Sequence, residues 1–168
     1  MMIVNSTMAD MDTLFAFYRA GAVYMKDMGE VRPWQEFERT AVAKEIEEGR
    51  QWKVLDNGET VAVFLTTYND PFVWQEKDQD PAVYIHRIAT HPEHRGKGYV
   101  QGIVDWGREH ARENGKKFLR LDTGARNTRL VNYYKRCGFN LLGEVYPDSP
   151  ALPAHYRGGI IALMEIAI

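Results

Sequence analysis

The stretch from Val83 to Glu113 most constrains the fold, because it reads as a strand, a glycine-bearing loop and a helix in direct succession. Val83–Thr90 is a β-branched run that lies between two prolines, which is typical of a strand. From Val100 the apolar residues recur at helical spacing, with charged residues on the remaining faces. This succession is typical of a domain that combines a sheet with covering helices.

The connecting loop reads Arg95-Gly96-Lys97-Gly98-Tyr99-Val100. Its glycines permit a tight turn and the close approach of a ligand to the backbone. The start of the following helix leaves N–H groups unpaired and carries a partial positive charge, which favours an anion. The loop therefore predicts a phosphate cradle, and the alternative is a glycine-rich turn with solvated basic side chains. It matches neither the Walker pattern nor the dinucleotide fingerprint.

The charge distribution supports a phosphate ligand. Residues 95–136 carry 11 of the 21 Lys and Arg residues but only 4 of the 23 Asp and Glu residues, a local balance of +7. Because the net charge is −2, the remainder of the chain carries −9 and would repel nucleic acid. A compact polyphosphate ligand fits this asymmetry better, and no nucleic-acid partner is expected.

Two motifs resemble the GCN5-related N-acetyltransferases, the GNAT family. The loop is similar to the family's acetyl-CoA pattern Arg/Gln-x-x-Gly-x-Gly/Ala, with Arg95 and Gly98 matching and Val100 replacing the final small residue. The segment Asn127–Phe139 resembles the family's Asn…Leu-Tyr-Glu-Lys-Leu-Gly-Phe motif and follows at the expected distance. With the flanking strands, the similarity covers roughly the C-terminal two thirds of the chain.

The resemblance implies a single GNAT-like α/β domain over residues 1–168, with a mixed, mostly antiparallel sheet flanked by helices. The strands at 83–90 and 117–122 are expected to run parallel and to splay, which leaves a wedge for acetyl-CoA as co-substrate. The implied activity is N-acetyl transfer to a primary amine of a small molecule or peptide. The alternative is a catalytically weak acyl-CoA-binding sensor or scaffold of the same fold.

The resemblance also implies which residues hold acetyl-CoA. The edge of the central strand is expected to pair with the pantetheine arm, and the N–H of Ile88 to face the thioester carbonyl. Such an oxyanion donor contributes about 3–4 kcal/mol. Asn127 is expected to bond the pantetheine or to fix the start of its helix. The predicted binding residues are Ile88, Ala89, Thr90, Arg95, Gly96, Lys97, Gly98, Tyr99, Val100, Asn127 and Tyr134.

Tyr134 is the predicted general acid, because it matches the family's tyrosine four residues before the glycine of Gly-Phe. A phenol with a pKa near ~10 stays protonated at neutral pH and can protonate a thiolate whose pKa is near ~8.5. The neighbouring Tyr133 points about 100° away on the helix, so only one of the two can face the sulfur. The alternative is that Tyr134 only packs on the sheet.

The general base is less determined. Many members of the family carry Glu on the central strand at the position of Tyr84. His86 lies two residues further on the same predicted strand face as Tyr84 and Ile88, and its ordinary pKa of ~6.5 suits a base. A structural histidine, or a water chain to Glu76 or Asp78, is the alternative.

No metal is expected, because His91 and His94 provide only two ligands locally. The start of the chain shows no signal-peptide pattern, and no apolar run is long enough to span a bilayer. The single Cys137 reads as a small buried hydrophobe in a reducing cytoplasm. A cytoplasmic protein without membrane contact is therefore predicted, and a homodimer is a possible assembly.

Residues 69–80 are predicted as a loop that is both acidic and aromatic. Its Asp and Glu side chains would attract a cationic amine, with Trp74 as a cation–π partner. The alternative is a solvated connector. The acidic residues concerned are Asp70, Glu76, Asp78 and Asp80.

The remaining pattern predicts the other elements. They are a first strand at Ile3 and Val4, helices over 9–28, 33–48 and 127–137, a hairpin over 52–67 turning at Asn57-Gly58, and closing strands over 139–146 and 159–168.

Overall fold

The computed structural model describes residues 1–168 and contains seven strands and five helices. None of the helices is both long enough and apolar enough to cross a membrane. In chain order the elements are β1 Met2–Asn5, α1 Met11–Asp27, α2 Arg39–Glu47, β2 Gln51–Asp56, β3 Glu59–Thr67, α3 Pro71–Trp74, β4 Ala82–Thr90, α4 Tyr99–Glu113, β5 Phe118–Gly124, α5 Thr128–Arg136, β6 Asn140–Val145 and β7 Ile161–Ala167.

The strands form one sheet in the order β1-β2-β3-β4-β5-β7-β6. β1 with β2, β2 with β3, β5 with β7 and β6 with β7 pair antiparallel, whereas β4 and β5 pair parallel. The parallel register joins Ala82 to Phe118, Val83 to Leu119 and Tyr84 to Arg120, and it stops before either strand ends. The mixed, mostly antiparallel sheet with a central parallel pair is therefore confirmed.

The hairpin of β2 and β3 turns where the sequence predicted. Asn57 and Gly58 both have positive φ angles, of 49° and 84°. A two-residue hairpin turn of this hand matches the twist of the flanking strands, and Asn-Gly is its preferred pair.

Contacts within the chain divide it into two units. The first comprises Met1–Thr66 and His86–Ile103, and the second comprises Thr67–Ile85 and Val104–Ile168. Both β4 and α4 contribute residues to each unit, so neither unit is a continuous segment of chain.

The core of the first unit lies on the apolar face of α1, where Leu14, Phe15 and Tyr18 are buried together with residues of α2. The predicted helix over 33–48 is wrong in its first turns, since α2 begins only at Arg39. Trp34 and Phe37 place their rings 6.2 Å and 5.0 Å from that of Tyr18. This aromatic packing holds residues 33–38 in a non-helical conformation, because packing outweighs the weak helix preference of so short a segment.

The second unit buries part of the segment predicted as a loop. Residues 69–80 contain α3 followed by a 3-10 turn, Gln75–Gln79. Val73 and Trp74 are buried, and the Trp74 ring lies 5.4 Å from that of Tyr84. The prediction of Trp74 as an exposed partner for a ligand cation is therefore wrong. Its cation is the protein's own Arg120, 4.6 Å from the ring centre.

Arg120 is the organising residue of the second unit, with a side chain that is only 1% exposed. Its guanidinium donates to Glu165 Oε2 at 2.7 Å, to Asp80 Oδ2 at 2.6 Å and to the Lys77 carbonyl at 2.6 Å. It also donates to the Tyr84 hydroxyl at 3.1 Å. A buried charge is tolerated when paired and hydrogen-bonded in this way.

We expect Arg120→Met to lower the free energy of unfolding by about 3 kcal/mol, because it leaves Glu165 and Asp80 without their counter-charge. Urea denaturation followed by fluorescence measures this change. Arg112→Met is the matched control, since the pair of Arg112 with Glu109 is solvent-exposed, and its cost should stay below about 1 kcal/mol. Equal costs for the two variants would contradict the role given to Arg120.

Candidate active site

The glycine loop has the geometry that an anion cradle requires. Gly96 and Gly98 have positive φ angles of 79° and 85°, and α4 begins at Tyr99 directly after them. Both glycines are exposed, and a Cβ at either position would meet open space. The backbone conformation, rather than crowding, therefore requires glycine. The first N–H groups of a helix have no acceptor within the helix, so this start of α4 suits an anion such as a phosphate.

The side chain of Arg95 contacts α1 and thereby supports the glycine loop. Its guanidinium donates to the carbonyl of Ala20 in α1 at 3.3 Å and lies 4.0 Å from the centre of the Tyr24 ring. The side chain is thus engaged by α1, whereas Lys97 is exposed with its Nζ 3.4 Å from His94 Nδ1. Lys97 is consequently the loop's solvent-facing cation, and Arg95 fixes the loop's position.

The central strand β4 contains one residue in the left-handed conformation, Arg87, which has a positive φ of 52°. A non-glycine residue in this conformation is strained, and here its side chain holds it. The guanidinium pairs with buried Glu45 through two contacts of 2.9 Å and 3.0 Å and lies 4.2 Å from the Phe37 ring centre. A left-handed residue disturbs the regular alternation of side chains between the two faces of a strand. The alternation that predicted Ile88 on the same face as Tyr84 therefore does not continue past Arg87.

His86 directly precedes Arg87 in β4. Removal of its imidazole from water, with the positive charges of Arg87 and Arg50, lowers the pKa of His86 to about 3. The imidazole is therefore neutral at physiological pH but is a weak proton acceptor. A general base works best when its pKa lies near the working pH.

Tyr84 is fully buried. Burial raises the pKa of Tyr84 well above its usual range, and a hydrogen bond with Asp78 acts in the same direction. Its hydroxyl accepts from Arg120, as described above. In this structure Tyr84 packs and completes the contacts of the buried guanidinium.

Tyr134 lies on α5, which begins where the motif places it. The Asn127 side chain accepts a hydrogen bond from the N–H of Leu130 at 3.0 Å and thereby caps the helix. The Tyr134 ring packs edge-on against Phe139, with ring centres 6.0 Å apart. Burial raises the pKa of Tyr134 above its usual range, and the charge of Asp122 is a further cause. The phenol therefore stays protonated at neutral pH, as a general acid must.

Two carboxyl groups of the second unit form a pair that sequence reasoning did not recognise. Oxygens of Asp70 and Asp122 lie within 4.8 Å of one another. Burial raises the pKa of Asp122 to about 6, although a hydrogen bond with Tyr156 lowers it in part. Burial, followed by the charges of Asp122 and Asp78, raises the pKa of Asp70 to about 8. Strongly shifted carboxyl groups of this kind cluster at functional sites.

The available signal for Asp122 was a single acidic residue within an apolar strand pattern, two positions after Arg120. Asp70 was assigned to an acidic rim, and the structure corrects this assignment. Asp70 is half-buried, its N–H donates to Asp78 Oδ1 at 2.6 Å, and Asp80 is paired with Arg120. Three of the four acidic residues predicted to face solvent are therefore committed to contacts within the protein.

Comparison with known proteins independently supports the family resemblance of the sequence motifs. A family model described as "Acetyltransferase (GNAT) family" matches residues 12–139. The mycothiol acetyltransferase of Propionibacterium freudenreichii subsp. shermanii is 29% identical over 82 residues, which are 49% of this chain and 26% of that relative. The matched part of the chain thus spans about a quarter of the relative's length.

Solved structures show the same fold at low sequence identity. A GNAT-family acetyltransferase from Listeria monocytogenes superposes with a TM-score of 0.80 at 18% identity, covering 99% of this chain and 94% of that chain. The yncA protein of Salmonella typhimurium, solved with its cofactor acetyl-CoA, gives a TM-score of 0.70 at 16% identity, with 99% and 93% covered.

We expect Asp70→Asn to stabilise the protein increasingly as the pH rises. In the wild type, Asp70 keeps its proton up to about pH 8, whereas the unfolded chain releases it near pH ~4, so the stability falls between these values. Asparagine does not ionise and removes this loss. The melting temperatures should be similar at pH 4 and should differ by at least about 4 °C at pH 8.

Differential scanning fluorimetry from pH 4 to pH 8 measures this effect. Asp148→Asn is the control, because Asp148 is exposed, and its difference from the wild type should not vary in this way. A pH-independent effect of Asp70→Asn would contradict the raised pKa.

Proposed function

The chain belongs to the GNAT acetyltransferase family, and we propose that it transfers the acetyl group of acetyl-CoA to a primary amine of a small molecule or peptide. The observation that carries the proposal is the pair of left-handed glycines leading directly into α4. This arrangement presents successive backbone N–H groups to a phosphate, and the family uses such a loop for acetyl-CoA. A single catalytic domain over residues 1–168 is part of the proposal.

In this proposal acetyl-CoA is held by the glycine loop and by the central strand β4. The amides of residues 96–100 and the Lys97 ammonium neutralise the pyrophosphate, while Arg95 keeps the loop against α1. The strand edge at Ile88, Ala89 and Thr90 pairs with the pantetheine arm. The left-handed Arg87 supports this assignment, because it redirects the backbone just before Ile88, whose N–H would stabilise the oxyanion.

Tyr134 is the proposed general acid that protonates the departing thiolate. Its motif position and its protonated state both support this role. His86 and Tyr84 were predicted for the acceptor side of the reaction. The low pKa of His86 and the engagement of Tyr84 by Arg120 favour a positioning role for both in the free protein.

The proposed acceptor is a cationic amine. A lysine-like amine has a pKa near ~10.4 and arrives protonated at pH 7. Outside residues 95–136 the chain carries a net charge of −9, which attracts such a cation. The acidic segment 69–80 contributes less to the attraction of the amine than its sequence indicated. Asp80 pairs with Arg120, and Asp78 accepts a hydrogen bond from the N–H of Asp70.

A second candidate function is an acyl-CoA sensor without turnover, which the presence of Tyr84 instead of Glu favours. Thiol release separates the two functions. An enzyme releases coenzyme A faster when a suitable amine from a panel is added, whereas a sensor binds acetyl-CoA without amine-dependent release.

We expect acetyl-CoA at about 100 times its dissociation constant to stabilise the protein by ~2.7 kcal/mol. Gly98→Ala should reduce acetyl-CoA affinity at least about tenfold, because alanine disfavours the left-handed φ on which the cradle depends. Calorimetric titration measures the affinity. Gly58→Ala is the matched control, since Gly58 has a φ of 84° and equally open surroundings in the hairpin turn.

Gly58→Ala should cost stability but leave acetyl-CoA binding intact. No stabilisation of the wild type at millimolar acetyl-CoA would refute the proposed donor. Equal affinities of the two alanine variants would remove the loop from the binding site.

We expect Tyr134→Phe to lower kcat about 10²–10⁴-fold while leaving acetyl-CoA affinity nearly unchanged, because only the transferable proton is lost. Steady-state thiol release with the best amine of the panel measures this. Tyr133→Phe, on the adjacent residue, should stay within a fewfold of the wild type. A wild-type rate for Tyr134→Phe would exclude Tyr134 as the acid.

A further inference from the structure

The carboxyl pair of Asp70 and Asp122 belongs to the second unit, as does Tyr134, and the proposed reaction has no assigned base. Asp122 belongs to β5 and follows Arg120, the last β5 residue paired with β4, by two positions. Asp70 directly precedes α3 and is half-buried. Oxygens of the two side chains lie within 4.8 Å of one another. Two carboxyl groups this close do not ionise independently, so the pair holds one proton over a range of pH.

The surroundings connect this pair to the proposed general acid. Asp122 forms a hydrogen bond with Tyr156, and its charge acts on Tyr134. Asp78 acts on Asp70 and accepts a hydrogen bond from its N–H. The motif independently assigns Tyr134 to the thioester sulfur. Asp122 therefore acts electrostatically on the proposed general acid.

We propose that the Asp122 carboxylate is the general base that deprotonates the acceptor ammonium, with Asp70 as its protonated partner. This assignment rests on the proposed acetyltransferase function and goes beyond it by naming the base. It also replaces the glutamate that the central strand lacks at Tyr84.

The order of ionisation supports these roles. Asp122 loses its proton near pH 6 and Asp70 near pH 8, so the pair is singly protonated at neutral pH. The carboxylate then has a proton affinity close to that required at the working pH. Tyr134, Tyr156 and Asp78 are among the titratable groups that act on the pair.

The protons balance as follows. Asp122 accepts one proton from the ammonium and passes it to solvent. The neutral amine attacks the thioester carbonyl, the C–N bond forms and the C–S bond breaks, and the sulfur takes the proton of Tyr134. The surplus proton on the new amide nitrogen returns through Asp122 to the Tyr134 phenolate. The products are the acetylated amine, coenzyme A as free thiol and one released proton.

The test compares Asp122→Asn, Asp70→Asn and the control Asp148→Asn with the wild type in pH profiles of kcat/KM. With a basic amine at pH 7, Asp122→Asn should lose about 10²–10⁴-fold in kcat/KM. Its rate should then rise with pH as free amine accumulates. The wild-type acid limb near pH 6 should vanish in Asp122→Asn and persist in Asp148→Asn, which changes an exposed carboxyl group. Asp70→Asn should keep the limb, because asparagine imitates the protonated partner.

Two further measurements separate a base from a structural residue. A weakly basic amine that is neutral at pH 7, such as trifluoroethylamine, should react with Asp122→Asn at a rate near that of the wild type. Asp122→Asn should also melt at or above the wild-type temperature at pH 8, because it removes a costly buried charge. A structural role would instead lower the melting temperature and give no rescue.

The proposal is overturned if Asp122→Asn keeps the acid limb, if Asp148→Asn removes it, or if the neutral amine gives no rescue. Those results leave acetyl transfer by the wild type intact. Absence of amine-dependent thiol release in the wild type is a different result, which overturns the enzyme function together with its base.

Discussion

The buried Arg120 guanidinium is the interaction on which the second unit depends. Its N–H groups donate hydrogen bonds to Glu165 on β7 and to the Tyr84 hydroxyl on β4. They also donate to Asp80 and to the Lys77 carbonyl, which follow α3. One side chain thus joins two strands to the segment between α3 and β4. Because an unpaired buried charge costs several kcal/mol, these partners are held in a narrow range of positions.

That arrangement accounts for the neighbouring carboxyl pair. The Asp80 contact anchors the end of the segment that begins at Asp70, and β5 carries Asp122 two residues beyond Arg120. Asp70 and Asp122 are therefore kept out of water near each other at a cost in stability at neutral pH. Proteins retain such costly groups where chemistry uses them, and the paired residues around Arg120 supply the compensating stability.

In the first unit, contacts of a buried side chain likewise hold a strained residue of the central strand. Arg87 takes a strained backbone conformation, and its side chain is held by Glu45 and by the Phe37 ring. Glu45 is buried and also accepts from Gln51 at 2.7 Å. The strain lies directly before Ile88, the proposed oxyanion donor, so the ion pair determines where that N–H points.

Local chemistry made the backbone framework readable from the sequence alone. Strand periodicity, the Asn57-Gly58 turn, the left-handed Gly96 and Gly98 and the Asn127 cap each follow from the preferences of a few neighbouring residues. The family motifs were readable for the same reason, since the glycine loop and the segment Asn127–Phe139 are each contiguous in the chain.

Only the tertiary structure decided the protonation states and the position of residues 33–38 and 69–80. The burial of Trp74, the low pKa of His86 and the raised pKa values of Asp70 and Asp122 depend on groups far apart in the chain. Desolvation acts through space and leaves no local pattern, so a carboxyl in a loop and one in a strand look ordinary in sequence. The sequence by itself determined most of the strands and helices and the glycine loop, and the packing decided which polar side chains can exchange protons.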